Sequence, residues 1–190
     1  MFRFIKEHSY EIVKLFFTQI GIAVFGLVLS FATNSNPQLW LLSSIFSVCF
    51  YCAILYSEAW EIGAKDRPRI LNGRLKDSNS KGFIIALFSN SLNMFFVIIL
   101  TVCLIFSFLG EFFGNIYAIV WTLQRLLSAM YMGLNMYFSP KQILDSRYYI
   151  QPDTFFQPLF YLLAIIPPVI SCGIGYVMGK NDRKLFTVKK

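Results

Sequence analysis

Charge is scarce in this sequence. Only 14% of its 190 residues are charged, ten are acidic, and there is one histidine, His8. A soluble domain carries about a quarter charged residues. The motifs that announce chemistry are missing too: there is no H-E-x-x-H, no G-x-S-x-G and no phosphate-loop signature. A lone histidine and four cysteines set in apolar surroundings supply neither metal-ligand spacing nor a disulfide framework. No catalytic residue, metal or cofactor is assigned. Internal repeats and low-complexity tracts are lacking as well, so residues 1–190 read as one domain.

What the chain has in abundance is apolar sequence. Hydrophobic residues make up 56%, and phenylalanine alone fills 21 positions. Runs at 15–32, 39–56, 83–109, 116–138 and 155–179 are each about long enough to cross a hydrocarbon layer of roughly 30 Å. They are continuous rather than alternating, which disfavours a β-barrel. The expected fold is all-α: a polytopic membrane protein with about five apolar helical segments, the last broken or kinked at Pro167-Pro168. Residues 1–14 read as an interfacial helix, or as the wet extension of the first span, with Phe2, Ile5, Ile12 and Phe16 on one side. Residues 57–82 read as a basic loop and 180–190 as a basic tail. Residues 15–29 resemble the apolar part of a signal peptide, with small residues at Ser30 and Ala32. The run is full span length and two acids precede it, so no cleavage is expected.

The net charge of +7 has a membrane explanation, because basic residues gather on the cytosolic side; nucleic acid is not an expected partner. Arg3, Lys6 and Lys14 precede the first run, and Lys65, Arg67, Arg69, Arg74, Lys76 and Lys81 lie between 57 and 82. The links 33–38 and 110–115 carry no basic residue. The N-terminus and the 57–82 segment are therefore expected in the cytosol. Five simple crossings would then leave Lys180, Arg183, Lys184, Lys189 and Lys190 outside, against the rule. Either 155–179 does not cross, or 116–138 is the irregular element. A kinked but spanning last helix is the remaining alternative. We expect a cytosolic C-terminus.

Three clusters stand out. Glu58, Glu61, Lys65, Asp66, Arg67 and Arg69 crowd the end of the second run, where Tyr56 and Trp60 mark an interface. Glu58 and Glu61 share a helix face, and Glu61 precedes Lys65 in the favourable order. These six are the candidates for docking a partner or lipid; an interface anchor closed by local ion pairs is the plainer reading. The second cluster lies inside the apolar runs. Arg125, Gln124, Ser128 and Asn135 form a polar stripe, and an antiparallel hairpin would bring Asn135 to Asn90 and Asn93 and Arg125 to Thr101. An ionisable residue at that depth is a site candidate by default, so these are the ligand-binding candidates, weighed against simple interhelical bonding. Third, Ser171, Gly175 and Gly179 recur every fourth residue, a spacing that lets another helix approach closely. Cys49 and Cys52 form a C-x-x-C, but within an apolar span a thiolate is hard to form and both read as small filler.

The expected function is that of a small, multi-pass protein of a bacterial plasma (inner) membrane. It would be a transport-related or accessory subunit acting with a partner membrane protein or ATPase, or as a homo-oligomer in the lipid bilayer, with a polar layer for a small ligand. The alternative is a membrane-bound enzyme acting on a lipid or lipid-linked substrate through the 58–69 cluster.

Overall fold

The computed structural model describes residues 8–106, 111–139, 141–144, 147–150 and 155–182. They are helical apart from a short antiparallel ribbon, β1 (Lys141–Leu144) with β2 (Arg147–Ile150), in which Lys141 faces Ile150. The helices are α1 (Ser9–Thr33), α2 (Pro37–Leu71), α3 (Lys81–Ser89), α4 (Ser91–Phe106), α5 (Glu111–Leu127), α6 (Met132–Phe138), α7 (Phe156–Ala164) and α8 (Ile166–Lys180). A 3₁₀ turn, Ala129–Tyr131, joins α5 to α6.

Five crossings are not confirmed. Among the described residues three lengths are apolar and long enough to span: Ser9–Thr33, Pro37–Leu71 and Phe156–Lys180. A fourth qualifies if α3 and α4, bent by 57°, count as one. Only 28%, 22% and 39% of the three span windows are buried inside the protein. Most of their apolar surface therefore faces outward, as lipid-facing helices require.

Local chemistry explains where each helix starts and stops. The Asn36 side chain accepts the N–H groups of Gln38 (3.0 Å) and Leu39 (3.4 Å), capping α2, and Pro37 takes the first helical position. At the other end Gly73 adopts φ +67°, and the bonds Arg74 N–Arg69 O (2.9 Å) and Gly73 N–Ile70 O (3.0 Å) close the helix with a glycine cap. Residues 57–71, expected in a loop, thus continue the helix. Charge ends burial in lipid, not helicity, and α2 at 35 residues is roughly 52 Å long. Nor do residues 9–14 form a separate interfacial helix; they open α1, and residues 1–7 lie outside the described ones. Between α3 and α4 the side chains of Ser89 and Asn90 both donate to the Ala86 carbonyl (2.9 and 3.0 Å), competing with the helix ladder.

The last span is interrupted at Ile165 yet runs on as one 25-residue length, Phe156–Lys180, so a kink at Pro167-Pro168 is not confirmed. Proline at 168 cannot donate to the Ala164 carbonyl. The Tyr131 hydroxyl does so instead, at 3.0 Å.

Two compact units result, each with its own packing. The first holds residues 8–18, 50–90 and 166–182. The second holds 19–49 and the described residues of 91–165, with Val97, Leu100, Cys103, Tyr117, Val120 and Tyr161 at its centre.

Candidate functional site

In the first unit, the small-residue stripe meets a helix of its own chain. The Ser171 hydroxyl donates to the Cys52 carbonyl at 2.5 Å. A Cβ on Gly175 would stand 2.5 Å from the Tyr56 carbonyl oxygen, and one on Gly179 would stand 2.1 Å from that of Trp60. The partners 52, 56 and 60 ascend with 171, 175 and 179, so α8 and α2 run parallel in backbone contact. Gly63 completes the seam, since a Cβ there would lie 2.2 Å from the Tyr176 carbonyl oxygen.

That packing gathers charge. Asp66 and Lys81 are 4% and 6% exposed, and their side chains pair at 2.5 Å. The Tyr176 hydroxyl donates to the same Asp66 oxygen at 3.0 Å, and the Lys81 ammonium sits 5.9 Å from the Tyr176 ring centre. A buried ion pair is tolerated only when further bonds satisfy its atoms, and Tyr176 provides one. Lys180 pairs with Asp77 and Asn79, and Arg67 with Asp182. Lys14 of α1 lies 3.6 Å from Glu61 and 3.9 Å from Glu58, while Lys65 reaches Glu61 at 2.8 Å. Of the six docking candidates, five are thus engaged within the chain. Arg69 is exposed and pairs with none of the described residues. The sequence reading missed Lys81, Tyr176, Asp77, Lys180 and Asp182 as partners, because spacing along one helix cannot name residues on another.

The second unit holds a neutral layer. Gln157 Nε2 donates to Ser139 Oγ (3.1 Å), the Ser139 hydroxyl to Asn135 Oδ1 (2.8 Å), and Asn135 Nδ2 back to Gln157 Oε1 (3.0 Å). These three residues close a ring of hydrogen bonds. Trp121 Nε1 also donates to Gln157 Oε1, at 3.4 Å. Residues 121 and 135 of one straight helix would be roughly 21 Å apart, too far for a single oxygen to reach both. The segment 116–138 therefore folds back at Ser128–Tyr131. The turn seats where Gly26 and Gly133 allow it: a Cβ on Gly26 would stand 2.6 Å from Met130 Cα, and Gly133 N donates to Ser44 Oγ at 2.7 Å.

This fold-back corrects the expected alignment. Asn135 meets Gln157 and Ser139, not Asn93. It is Gln124 that reaches Asn93 (3.5 Å), along with Ser128 (3.2 Å). Asn90 belongs to the first unit and donates to Ala86. Thr101 bonds its own helix, at the Val97 carbonyl. Arg125 is half-buried and lies 5.4 Å from the Trp121 ring centre. Gln124 is 1% exposed, and its Oε1 has no hydrogen-bond partner. Gln157 was missed, although a lone amide in an apolar run is the same signal that marked Gln124. Cys49 is exposed and Cys52 half-buried, and no disulfide forms among the described residues.

No family model, curated protein or solved structure matches this chain.

Proposed function

We propose that this chain is a non-catalytic, multi-pass subunit of a transport-related or accessory kind. It crosses the membrane four times, carries one re-entrant hairpin, and presents one charged cytosolic end to a partner membrane protein. The observation that carries the reading is the parallel seam of α8 on α2. Parallel spans end on the same side, so the C-terminal end of α8 shares a side with residues 60–71. The contacts of Lys14 with Glu58 and Glu61 bring the start of α1 to that same end.

Parity then supports the path. If α2 and the final span both run inward, the chain between them must cross outward once. The 111–138 segment folds back on itself, which leaves α3 with α4, bent 57°, as the outward crossing. The fourth run, 116–138, is then a re-entrant hairpin rather than a crossing. Of the 17 basic residues, only Lys141 and Arg147 fall outside and Arg125 within, in keeping with the positive-inside rule. N- and C-termini are both cytosolic in this reading.

The test has two parts. Reporter fusions at the C-terminus should be active only in the cytosol; activity only outside the cell overturns the topology. For docking, Glu61→Ala with Arg67→Ala should reduce co-purification of a stoichiometric partner in gentle detergent while leaving thermal stability near wild type. Undiminished co-purification overturns the docking face.

A second reading has one observation in its favour, the unpartnered Gln124 oxygen beside Arg125, Asn93 and Ser128. There a small ligand with a hydrogen-bond donor would find an acceptor. It predicts that Arg125→Leu alters function without altering insertion.

A further inference from the structure

We infer that the turn closing α2 docks an acidic, partly apolar segment of the partner, with Arg69, Arg74 and Lys76 as the carboxylate contacts and Leu71 as the apolar one. The inference rests on the cytosolic docking face proposed above and deepens it, moving the contact from paired residues to unpaired ones.

In the first unit the described acids are already engaged. Glu11 faces His8 at 3.8 Å, Glu58 and Glu61 face Lys14, Glu61 also holds Lys65, and Asp66 holds Lys81. Asp77 holds Lys180 and Asp182 holds Arg67. Three basic side chains are left over. Arg69, Arg74 and Lys76 are exposed and make no ion pair among the described residues. The turn gathers them: the Arg69 carbonyl accepts the N–H groups of Arg74 (2.9 Å) and Leu75 (3.1 Å), with Gly73 at φ +67° making the reversal. Leu71, in the same turn, is 75% exposed. Residues 183–190, which follow Asp182, add Arg183, Lys184, Lys189 and Lys190 and no acidic side chain. Charge of one sign gathered in this way steers an anionic partner to the site.

Reach decides which anion. Tyr56 and Trp60 mark the membrane interface. Arg69 lies thirteen residues beyond Tyr56 on one continuous helix, roughly 20 Å along its axis. The headgroup layer takes about 5–8 Å of that length. At the usual tilt of about 20° the turn therefore clears the headgroups by roughly 11 Å, more than the screening length of about 8 Å at physiological salt. The chain's own bilayer is a weak partner for these cations. A nucleic-acid backbone would use the cations but leave Leu71 in water. An acidic protein segment uses both, since each guanidinium can take a carboxylate through two parallel bonds while an apolar side chain covers Leu71.

The full chain in phosphatidylcholine nanodiscs tests this, because such discs carry no net charge. The probe is a short fluorescent glutamate-rich peptide with leucine at every fourth position. It is compared by anisotropy with the same peptide carrying serine for leucine, a single-stranded oligonucleotide and phosphatidylglycerol vesicles. Wild type should bind the leucine peptide most tightly, and less tightly as salt rises. Arg69→Gln with Arg74→Gln should weaken that binding about tenfold or more, and Lys76→Gln about threefold. Leu71→Ser should remove the advantage over the serine peptide. Melting temperatures should stay near wild type, these side chains being exposed and unpaired. Lys141→Gln with Arg147→Gln removes the same net charge elsewhere and should change binding less than about twofold. Basic residues that serve membrane orientation alone would show no such dependence on position. Equal losses from the two double variants, no gain from leucine, tighter binding to the oligonucleotide or the vesicles, or no peptide binding at physiological salt overturns the site. Discs expose both faces, so a reporter result that overturned the topology would leave this binding readable. A failed peptide would leave the co-purification test of Glu61 and Arg67 standing.

Discussion

The two units solve one problem in opposite ways. Both must bury polar groups in a largely apolar chain. The first does so with full charges: Asp66 against Lys81 and Tyr176, and Lys180 against Asp77 and Asn79. The second uses neutral amides and hydroxyls, in the ring of Gln157, Ser139 and Asn135. The only basic residue described in its helices, Arg125, rests beside a Trp121 ring instead of a carboxylate. A charge pair gives strong, specific locking but fails badly when one partner goes. An amide ring costs less to bury and loses less when it is broken. The units therefore differ in how steeply they should respond to a single lost group.

The steepest response should come from Lys81→Met. It strands Asp66, 4% exposed, and should cost about 3–5 kcal/mol, measured by chemical or thermal unfolding in detergent. Adding Asp66→Leu should restore much of that loss. If the double variant is no better than the single, a stranded Asp66 charge is not the source of the loss.

Next comes the seam. Gly179→Ala has no room against the Trp60 carbonyl, at 2.1 Å, and should cost about 1–3 kcal/mol as the helices part. Gly21→Ala, with nothing within 4 Å of the new methyl, should be neutral or stabilising by up to about 1 kcal/mol. Equal melting temperatures for the two variants would remove the parallel packing of α8 on α2.

In the second unit, Gln157→Leu removes two acceptor bonds and one donor bond at a 0% exposed position. It should cost about 1–3 kcal/mol. A loss as large as that of Lys81→Met would break the contrast between the units. The smallest effect should be that of Arg125→Leu, within about 1 kcal/mol of wild type, since a cation–ring contact is lost and no carboxylate is stranded. If that variant is stable yet partner co-purification or transport suffers, the Gln124–Arg125 layer has a role beyond packing.

How much was legible follows from how local each feature is. The small-residue spacing at Ser171, Gly175 and Gly179 announced a close helix contact, and one exists. That its partner is α2 was not legible, because glycines carry no address. The Glu61–Lys65 pair was legible from four-residue spacing along one helix. The Asn90, Asn93 and Asn135 layer was misaligned because it assumed one straight helix over 116–138. Ser128 and the 3₁₀ turn break that helix, and a serine in an apolar run is too weak a breaker to announce it. The end of α2 was misplaced because the charges and Pro68 suggest a loop, whereas the terminating signal is Gly73.

Sequence by itself determined that this chain is apolar in membrane-length stretches, that its basic residues cluster, and which residues could meet a neighbouring helix. These follow from transfer of side chains and from the 3.6-residue repeat, and both are properties of short windows. Only the tertiary structure decided that the last helix lies parallel to the second, that one apolar run turns back on itself, and that Asp66 finds Lys81 and Tyr176. Those outcomes depend on contacts between residues up to 119 positions apart, where shape and unpaired donors select the partner and no local pattern records the choice.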